Sequence, residues 1–274
     1  MLNHLKSNCL SSREKNSRAR IPFRTIAAGV ASAACVSSAW AQVAQDQLSE
    51  AGSQWGIGIA AGMERKPYRD FDNKGLAIPM LTYENKWVSV AFPSADLKLT
   101  SVGPVSLRLR ARYAGDGYEA DDSPYFGGME KRKGSLWLGG AAIWRNDIAN
   151  LSAELLADGS GNSKGTRFKV QIDRRFSSGA FGFTPRLAAH WVDRKYVDYY
   201  YGVTAAEARS DRPEYAGKAT ANIEVGLRVD YAVAPKQTVF LDVSATSFGS
   251  GIKNSPLVSR SNQTGVRLGY VYRF

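Results

Sequence analysis

The chain has 274 residues, a net charge of +11 and a mean hydropathy of −0.29. An apolar fraction of 44% is ample for a folded core and excludes a disordered chain. No run of 18 apolar residues occurs, so a protein that crosses a membrane with helices is excluded. A membrane barrel, whose strands are only half apolar, stays possible.

The first 41 residues have the three parts of a secretory signal peptide. Six bases and one acid occupy residues 1–24, and an apolar run over residues 26–36 follows them. Ala39 and Ala41 then form the small-x-small pattern that signal peptidase cleaves. We therefore predict a signal peptide over residues 1–41. A mitochondrial transit peptide, also rich in Arg and Ser, is the alternative, but it needs no Ala-x-Ala site.

Cleavage after Ala41 limits the chemistry that the rest of the chain can perform. Cys9 and Cys35 leave with the signal peptide, and of the two histidines only His190 stays. This excludes a disulfide framework, a cysteine nucleophile and a metal site built from thiolates or several histidines. We expect no cofactor and no metal. The net charge falls to +6 and is dispersed, which argues against nucleic-acid binding.

From residue 54 onward the sequence alternates with a period of two. Segment 54–63 places large apolar residues on one face and Gly56, Gly58, Ala60 and Gly62 on the other. A helix would scatter these residues around its circumference, whereas a strand sorts them onto two faces. The pattern predicts twelve strands, at 54–63, 75–84, 86–93, 95–101, 104–114, 134–145, 148–158, 167–176, 180–192, 219–231, 238–248 and a last one that ends at Phe274.

Short connections alternate with long ones along these strands. The short ones lie near residues 84–85, 102–103, 146–147, 177–179 and 232–237, and the long ones near 64–74, 115–133, 193–217 and 249–262. Bacterial outer-membrane barrels alternate in this way, with the short turns in the periplasm. We predict an all-β fold: a transmembrane antiparallel up-and-down β-barrel of about 12 strands over 54–274, after a periplasmic segment over 42–53. An exported sandwich or lipocalin-like barrel is the alternative, but its small core would not absorb twelve apolar faces.

The polar face of the predicted strands is rich in charge. Its phase places ten bases inside the barrel, namely Arg108, Arg110, Arg112, Arg167, Lys169, Arg175, Arg186, Arg228, Arg267 and Arg273. It places five acids there, namely Glu154, Asp173, Glu224, Asp230 and Asp242. Two interpretations follow: a salt-bridged plug that rigidifies a narrow barrel, and a small pore that favours anions. His190 faces inward too, but no nearby Ser completes a catalytic motif, so we expect no enzyme.

The chain ends in a phased strand with an aromatic last residue. Leu268, Tyr270, Tyr272 and Phe274 share one face of that strand. This pattern resembles the C-terminal signal by which the outer-membrane assembly machinery recognises its substrates. We therefore expect that machinery among the partners of the chain.

One stretch within the connection 193–217 is distinctive. It comprises Tyr199, Tyr200, Tyr201, Gly202, Val203, Thr204 and Glu207, followed by Arg212, Pro213, Glu214 and Tyr215. This stretch resembles the MltA-interacting protein/OmpV family, as do residues 127–132 and the glycines at 265 and 269. The resemblance implies a barrel in the bacterial outer membrane.

The resemblance also implies a function and its partners. One member of the family is understood as a scaffold that joins a lytic transglycosylase to a murein synthase, so we expect a scaffold in murein metabolism. A narrow anion-preferring channel, or an adhesin or antigen, is the alternative. Outer-membrane lipid and lipopolysaccharide are further expected partners, because basic loop residues such as Arg65, Lys66, Arg194 and Lys195 would meet lipopolysaccharide phosphates.

Overall fold

The computed structural model describes residues 53–71 and 75–274. The predicted signal peptide, with Ala39 and Ala41, and residues 42–52 of the predicted periplasmic segment lie outside the described residues. Strands dominate the described part: β1 (Gln54–Arg65), β2 (Gly75–Glu84), β3 (Val88–Ala91), β4 (Ser94–Val102), β5 (Val105–Ala114), β6 (Ser135–Arg145), β7 (Asn150–Asp158), β8 (Thr166–Asp173), β9 (Phe176–Ser178), β10 (Phe181–Val192), β11 (Thr220–Ala234), β12 (Gln237–Ser247) and β13 (Asn262–Arg273).

Few helices interrupt this pattern in the described residues. They are α1 (Arg194–Tyr201), α2 (Ser250–Lys253) and two single-turn 3-10 helices, Ala120–Asp122 and Pro124–Phe126. None of the helices in these ranges is long and apolar enough to cross a membrane.

The strands close into an antiparallel barrel. Each strand pairs with its neighbours in chain order, and β1 pairs with β13 from Gly56 opposite Arg273 to Arg65 opposite Thr264. The three-residue β9 extends the edge of β8 beside β10, so the ring itself has twelve strands. The predicted twelve-stranded barrel is thus confirmed. The strand predicted over 167–176 is broken at Arg174 and Arg175, and β3 is shorter than its predicted span 86–93.

The barrel is apolar outside and polar inside. On β5, Leu109 is 50% exposed on the outer face, while Arg108 and Arg110 are buried inside. On β8, Val170 is exposed and Lys169 is buried. Successive side chains of a strand point to opposite faces, and most of the large apolar side chains face outward. An outward apolar band of this kind is stable in contact with lipid tails.

The two ends of the barrel differ. The short turns at 85–87, 103–104, 146–149, 174–180 and 235–236 share one end with the start of β1 and the end of β13, which we call the turn end. The connections 66–74, 115–134, 159–165, 193–219 and 248–261 share the other, which we call the loop end. The hairpin of β3 and β4, with its link at Phe92 and Pro93, also points toward the loop end.

Candidate functional site

The connections at the loop end fold back over the lumen and build one hydrophobic core, which we call the cap. Its buried members come from four connections and from the inner faces of the strands: Tyr68, Ala114, Tyr118, Tyr125, Phe126, Met129, Trp137, Leu156, Val192, Tyr196, Val197, Tyr200, Tyr201, Val203, Phe248, Ile252, Leu257 and Val258. Burial of this much apolar surface stabilises the loops as a packed unit. The cap therefore covers the loop end of the lumen.

Helix α1 carries the tyrosines of the predicted family motif into the cap. Asp193 begins the helix, because its carboxylate accepts a hydrogen bond of 2.8 Å from the N–H of Tyr196. Tyr196, Val197, Tyr200 and Tyr201 recur at helical spacing and are all buried on one face. The ring of Tyr196 lies 5.8 Å from that of Trp137 on the inner wall of β6. The helix is thus anchored to the barrel itself.

Tyr68 contacts cap residues from two other connections, 115–134 and 193–219. Its ring packs edge-on against Tyr118 and Phe126 and stacks on Tyr201, with centroid distances of 5.2 to 5.4 Å. Its hydroxyl donates a hydrogen bond to the carbonyl of Tyr200, at 3.2 Å. Burial raises the pKa of Tyr68 well above its ordinary value. The ring therefore stays neutral and fills the centre of the cap.

Glu207 of the motif forms a buried ion pair with Arg132, which we call the clasp. The carboxylate of Glu207 accepts two bonds of 2.8 Å from the guanidinium of Arg132 and one of 3.0 Å from the N–H of Glu130. The N–H and hydroxyl of Thr204 bond to the same carboxylate. Burial raises the pKa of Glu207, but these hydrogen bonds and the Arg132 charge outweigh it and hold the pKa below its usual range.

The remaining motif residues fall into two groups. Arg212 is buried and donates to the carbonyls of Tyr125, Gly127 and Glu207, which ties the motif to the connection 115–134. Val203 pairs with Tyr215, whose hydroxyl donates to the carbonyl of Gly251. The others differ in exposure: Gly202 is buried, Tyr199 is half-buried, and Thr204, Pro213 and Glu214 are exposed. The motif thus builds the cap and exposes only its outer edge.

Below the cap, the predicted basic cluster forms ion pairs across the lumen. Arg110 makes two hydrogen bonds of 2.7 Å to Asp96 and a third of 2.7 Å to Glu154. Arg112 bonds to both oxygens of Glu154, at 2.6 and 2.9 Å, and Arg108 lies 3.3 Å from Asp96. All five side chains are buried. The network joins β4, β5 and β7 through the interior.

A second network occupies the strands that follow, from β8 to β12. Arg186 bonds to Glu224 at 2.9 Å and to Asp242 at 2.7 and 3.1 Å. Glu224 also bonds to the Nε2 atom of His190 at 2.9 Å and lies 3.7 Å from the Nζ atom of Lys169. His190 is therefore part of an ion-pair network that holds β8, β10, β11 and β12 together.

The lumen holds more acids than the alternation assigned to it. Glu84 pairs with Lys98, Glu64 accepts a hydrogen bond from Gln263, and Asp96 is the acid at the centre of the first network. The predicted count of ten bases against five acids was therefore wrong, although bases still outnumber acids.

Lys66, expected at the surface, is buried and donates to the carbonyl of Gly117. Arg167 bridges lumen and cap, 3.6 Å from Asp116 and over the ring of Trp137.

A small cavity of about 60 Å³ separates the cap from the lumen networks. Its lining includes Arg167, Lys169, His190 and Glu224 below, and Tyr196 and Tyr201 above. The volume is enough for a few water molecules. Within residues 53–71 and 75–274, no group of three or more His, Cys, Asp or Glu side chains is placed to hold a metal ion.

Comparison with solved structures finds other membrane barrels. The NanC porin matches with a TM-score of 0.42 and 9% identity, over 79% of this chain and 98% of that one. An outer-membrane channel from Pseudomonas putida F1 matches with a TM-score of 0.38 and 11% identity, over 81% of this chain and 96% of that one.

Comparison of sequences is more specific. The chain is 22% identical to the MltA-interacting protein of Escherichia coli strain K12, over 83% of this chain and 93% of the relative. It is 26% identical to the outer membrane protein OmpV of Vibrio cholerae, over 59% of this chain and 63% of the relative. The profile of the MltA-interacting protein MipA family matches residues 57–274, which is the barrel from the fourth residue of β1 onward. The chain is therefore an outer-membrane β-barrel that belongs to the MipA family.

Proposed function

We propose that this barrel is a closed scaffold, which holds a lytic transglycosylase and a murein synthase at the inner face of the outer membrane. The observation that carries the proposal is the cap, a packed core over the loop end of the lumen. A barrel closed by its own loops is suited to anchoring partners, because its interior is used for its own stability. A relative named for its interaction with MltA supports the choice of partner.

The partner surface has to lie at the turn end, which we expect to face the periplasm. The turns there are short, and the longest at this end spans only 174–180. A specific interface buries about 800 Å² on each partner, so turns of two to seven residues alone are too small. We assign the interface to the segment 42–53, together with the turn at 235–236, within the predicted connection 232–237, and the adjacent barrel rim.

Capture of murein enzymes from envelope extracts tests the scaffold. The intact barrel should retain a lytic transglycosylase, and a variant that lacks residues 42–53 should retain much less while showing the same heat-modifiable mobility. The matched control replaces Ala205 and Ala206, at the exposed edge of the motif, with glycines, which leaves the turn end untouched. Undiminished capture by the 42–53 deletion, with loss in the control, would overturn the assignment.

The lipid contacts follow from the same placement. The exposed Arg65, Arg194 and Lys195 lie at the loop end, where phosphates of lipopolysaccharide would surround the barrel. Leu268 faces outward on β13, and Phe274 is exposed directly after that strand. Tyr270 and Tyr272 lie between them and are half-buried, and the barrel assembly machinery would meet this row of residues.

A narrow anion channel is the second candidate, and the cavity below the cap favours it. Arg167 and Lys169 line that cavity together with Glu224, and bases outnumber acids in the lumen as a whole. If the cap moved aside, the ion-pair networks would border a passage with a positive field. Conductance distinguishes this candidate from the closed scaffold.

A further inference from the structure

One part of the barrel wall is incomplete. Strand β2 pairs with β1 along its whole length, from Glu84 to Gly75. Its other neighbour, β3, pairs only with Thr82, Tyr83 and Glu84. Above them, the N–H of Phe92 donates to the carbonyl of Leu81. Among the described residues, no backbone group pairs with residues 75–80 on that side.

The direction of the main-chain groups determines which carbonyl and N–H groups are unpaired at this edge. Main-chain groups of alternate residues in a strand point to the same neighbour. Since Leu81 points toward β3, so do Pro79 and Ala77. The edge therefore presents the carbonyls of Pro79 and Ala77 and the N–H of Ala77. Six residues of strand extend over about 20 Å.

The edge lies at the depth of the lipid tails. Ala77 and Pro79 stand opposite Ala61 and Ile59 of β1, and these four residues are exposed on the outer face. Open strand edges are tolerated at this depth only when they line a polar space or have a partner. Pro79 itself fits an edge, because proline has no N–H to give to a ladder. Pro185, the other proline within a strand, likewise faces a break, between β8 and β9.

The inner side of β2 is apolar at Met80, at the end of this edge nearest the hairpin. Met80 packs with Ala60, Phe240 and Val271 in a small hydrophobic cluster, which contrasts with the charged walls of β5, β8 and β11. The cap covers the loop end, so a molecule from the outer leaflet would reach this cluster only through the wall.

We infer that the gap beside residues 75–80 of β2, above the β3–β4 hairpin, is a lateral opening that binds one single-chain amphiphile from the membrane. The acyl chain lies along the apolar side chains of β2, and a headgroup with N–H or O–H donors bonds to the carbonyls of Ala77 and Pro79. An extended peptide fits less well, because Pro79 supplies no donor in the middle of the ladder that the peptide would complete.

Ala61 and Ala77 provide a matched test, because they are direct cross-strand partners at the same depth. In the barrel without Cys9 and Cys35, Ala77→Cys and Ala61→Cys each give a single thiol. Both are reconstituted in dioleoylphosphatidylcholine vesicles and treated with a membrane-impermeant maleimide. We expect Ala77→Cys to react at least tenfold faster. Ala61 lies on β1, which is paired on both sides, whereas β2 is unpaired on one side at Ala77.

Palmitoyl lysophosphatidylethanolamine is then added as the amphiphile. It should slow the reaction of Ala77→Cys at least fivefold and leave that of Ala61→Cys unchanged. Equal, slow reaction at both positions would show a closed wall and overturn the proposal. Fast reaction at Ala77→Cys without protection would show that water alone fills the opening, which overturns the assigned ligand.

Discussion

Single buried charges determine how the lumen is filled. Glu154 bonds to Arg110 and Arg112 at once, and Asp96 bonds to Arg110 and Arg108. A buried ion pair adds little over a well-packed apolar pair, but loss of one partner leaves an uncompensated charge. The network is therefore sensitive to the removal of any single acid.

We predict that Glu154→Gln lowers the free energy of unfolding by about 3–5 kcal/mol, because it leaves two buried guanidinium groups short of a carboxylate. Urea unfolding of the barrel in lipid vesicles measures this. Asp147→Asn, in an exposed turn, is the control and should change stability by less than about 0.5 kcal/mol. Similar values for the two variants would contradict the ion-pair network.

The clasp of Glu207 gives the cap a dependence on pH. The pKa of Glu207 lies below its usual range, so the carboxylate stabilises the cap fully above the ordinary Glu value of about 4.3. This contribution is lost as the pH falls through the lowered pKa. The tyrosine signal in near-ultraviolet circular dichroism should therefore stay constant from pH 7 to about 5 and decrease in stronger acid.

The variant Glu207→Gln should loosen the cap already at pH 7, seen as faster tryptic cleavage after Arg209. Glu214→Gln, an exposed site in the same connection, should cleave like the unmodified barrel. If both variants resist trypsin equally, the clasp contributes nothing to the cap.

At the scale of the element, each strand has one face toward the lipid and one face toward the lumen. We predict that Leu109→Arg costs about 2–4 kcal/mol, because it places a charge on the lipid face near the middle of the membrane. Ser106→Arg, on the inner face of the same strand, should cost much less. Folding yield into phospholipid vesicles compares the two, and equal yields would reverse the assignment of the faces.

The strands were predictable from the sequence to different degrees. Where large apolar residues alternate with charge, as on β5 and β11, position and face follow directly from the period of two. Strand β4 has few large apolar residues and a bulge between Lys98 and Thr100, so the inward position of Asp96 was not assigned. The strand predicted at 167–176 was too long because alternation does not reveal the break at Arg174.

The cap was beyond the reach of periodicity. Tyr68, Phe126 and Tyr201 meet in space but lie more than fifty residues apart in the chain. The connections containing them read only as polar loops, because alternation reports which side a residue faces and not which loops meet. The one local signal was the helical spacing of Tyr196 and Tyr200, of which Tyr200 belongs to the family motif.

For the whole molecule, the cap and the lumen networks together oppose conduction. We predict that the intact barrel passes no steady current in planar bilayers. Replacing residues 194–217 with a short Gly-Ser linker should open it, since Val192 and Thr220 are adjacent partners that a short linker can join. The current should favour anions, less so at high salt, because ions screen the lumen charges.

In the opened barrel, replacing Arg108, Arg110 and Arg112 with Gln should abolish the preference for anions. Heat-modifiable mobility confirms that each variant is assembled. A steady current through the intact barrel would instead support the channel.

The pairing of β1 with β13 also determines the order in which the barrel assembles. Gly56 pairs with Arg273, so the first strand lacks its second neighbour until the thirteenth has been synthesised and delivered. Every intermediate before that moment has two open strand edges, which template aggregation. We therefore expect the unfolded chain to need a holding chaperone before it reaches the membrane, and the pairing of β1 with β13 to form last.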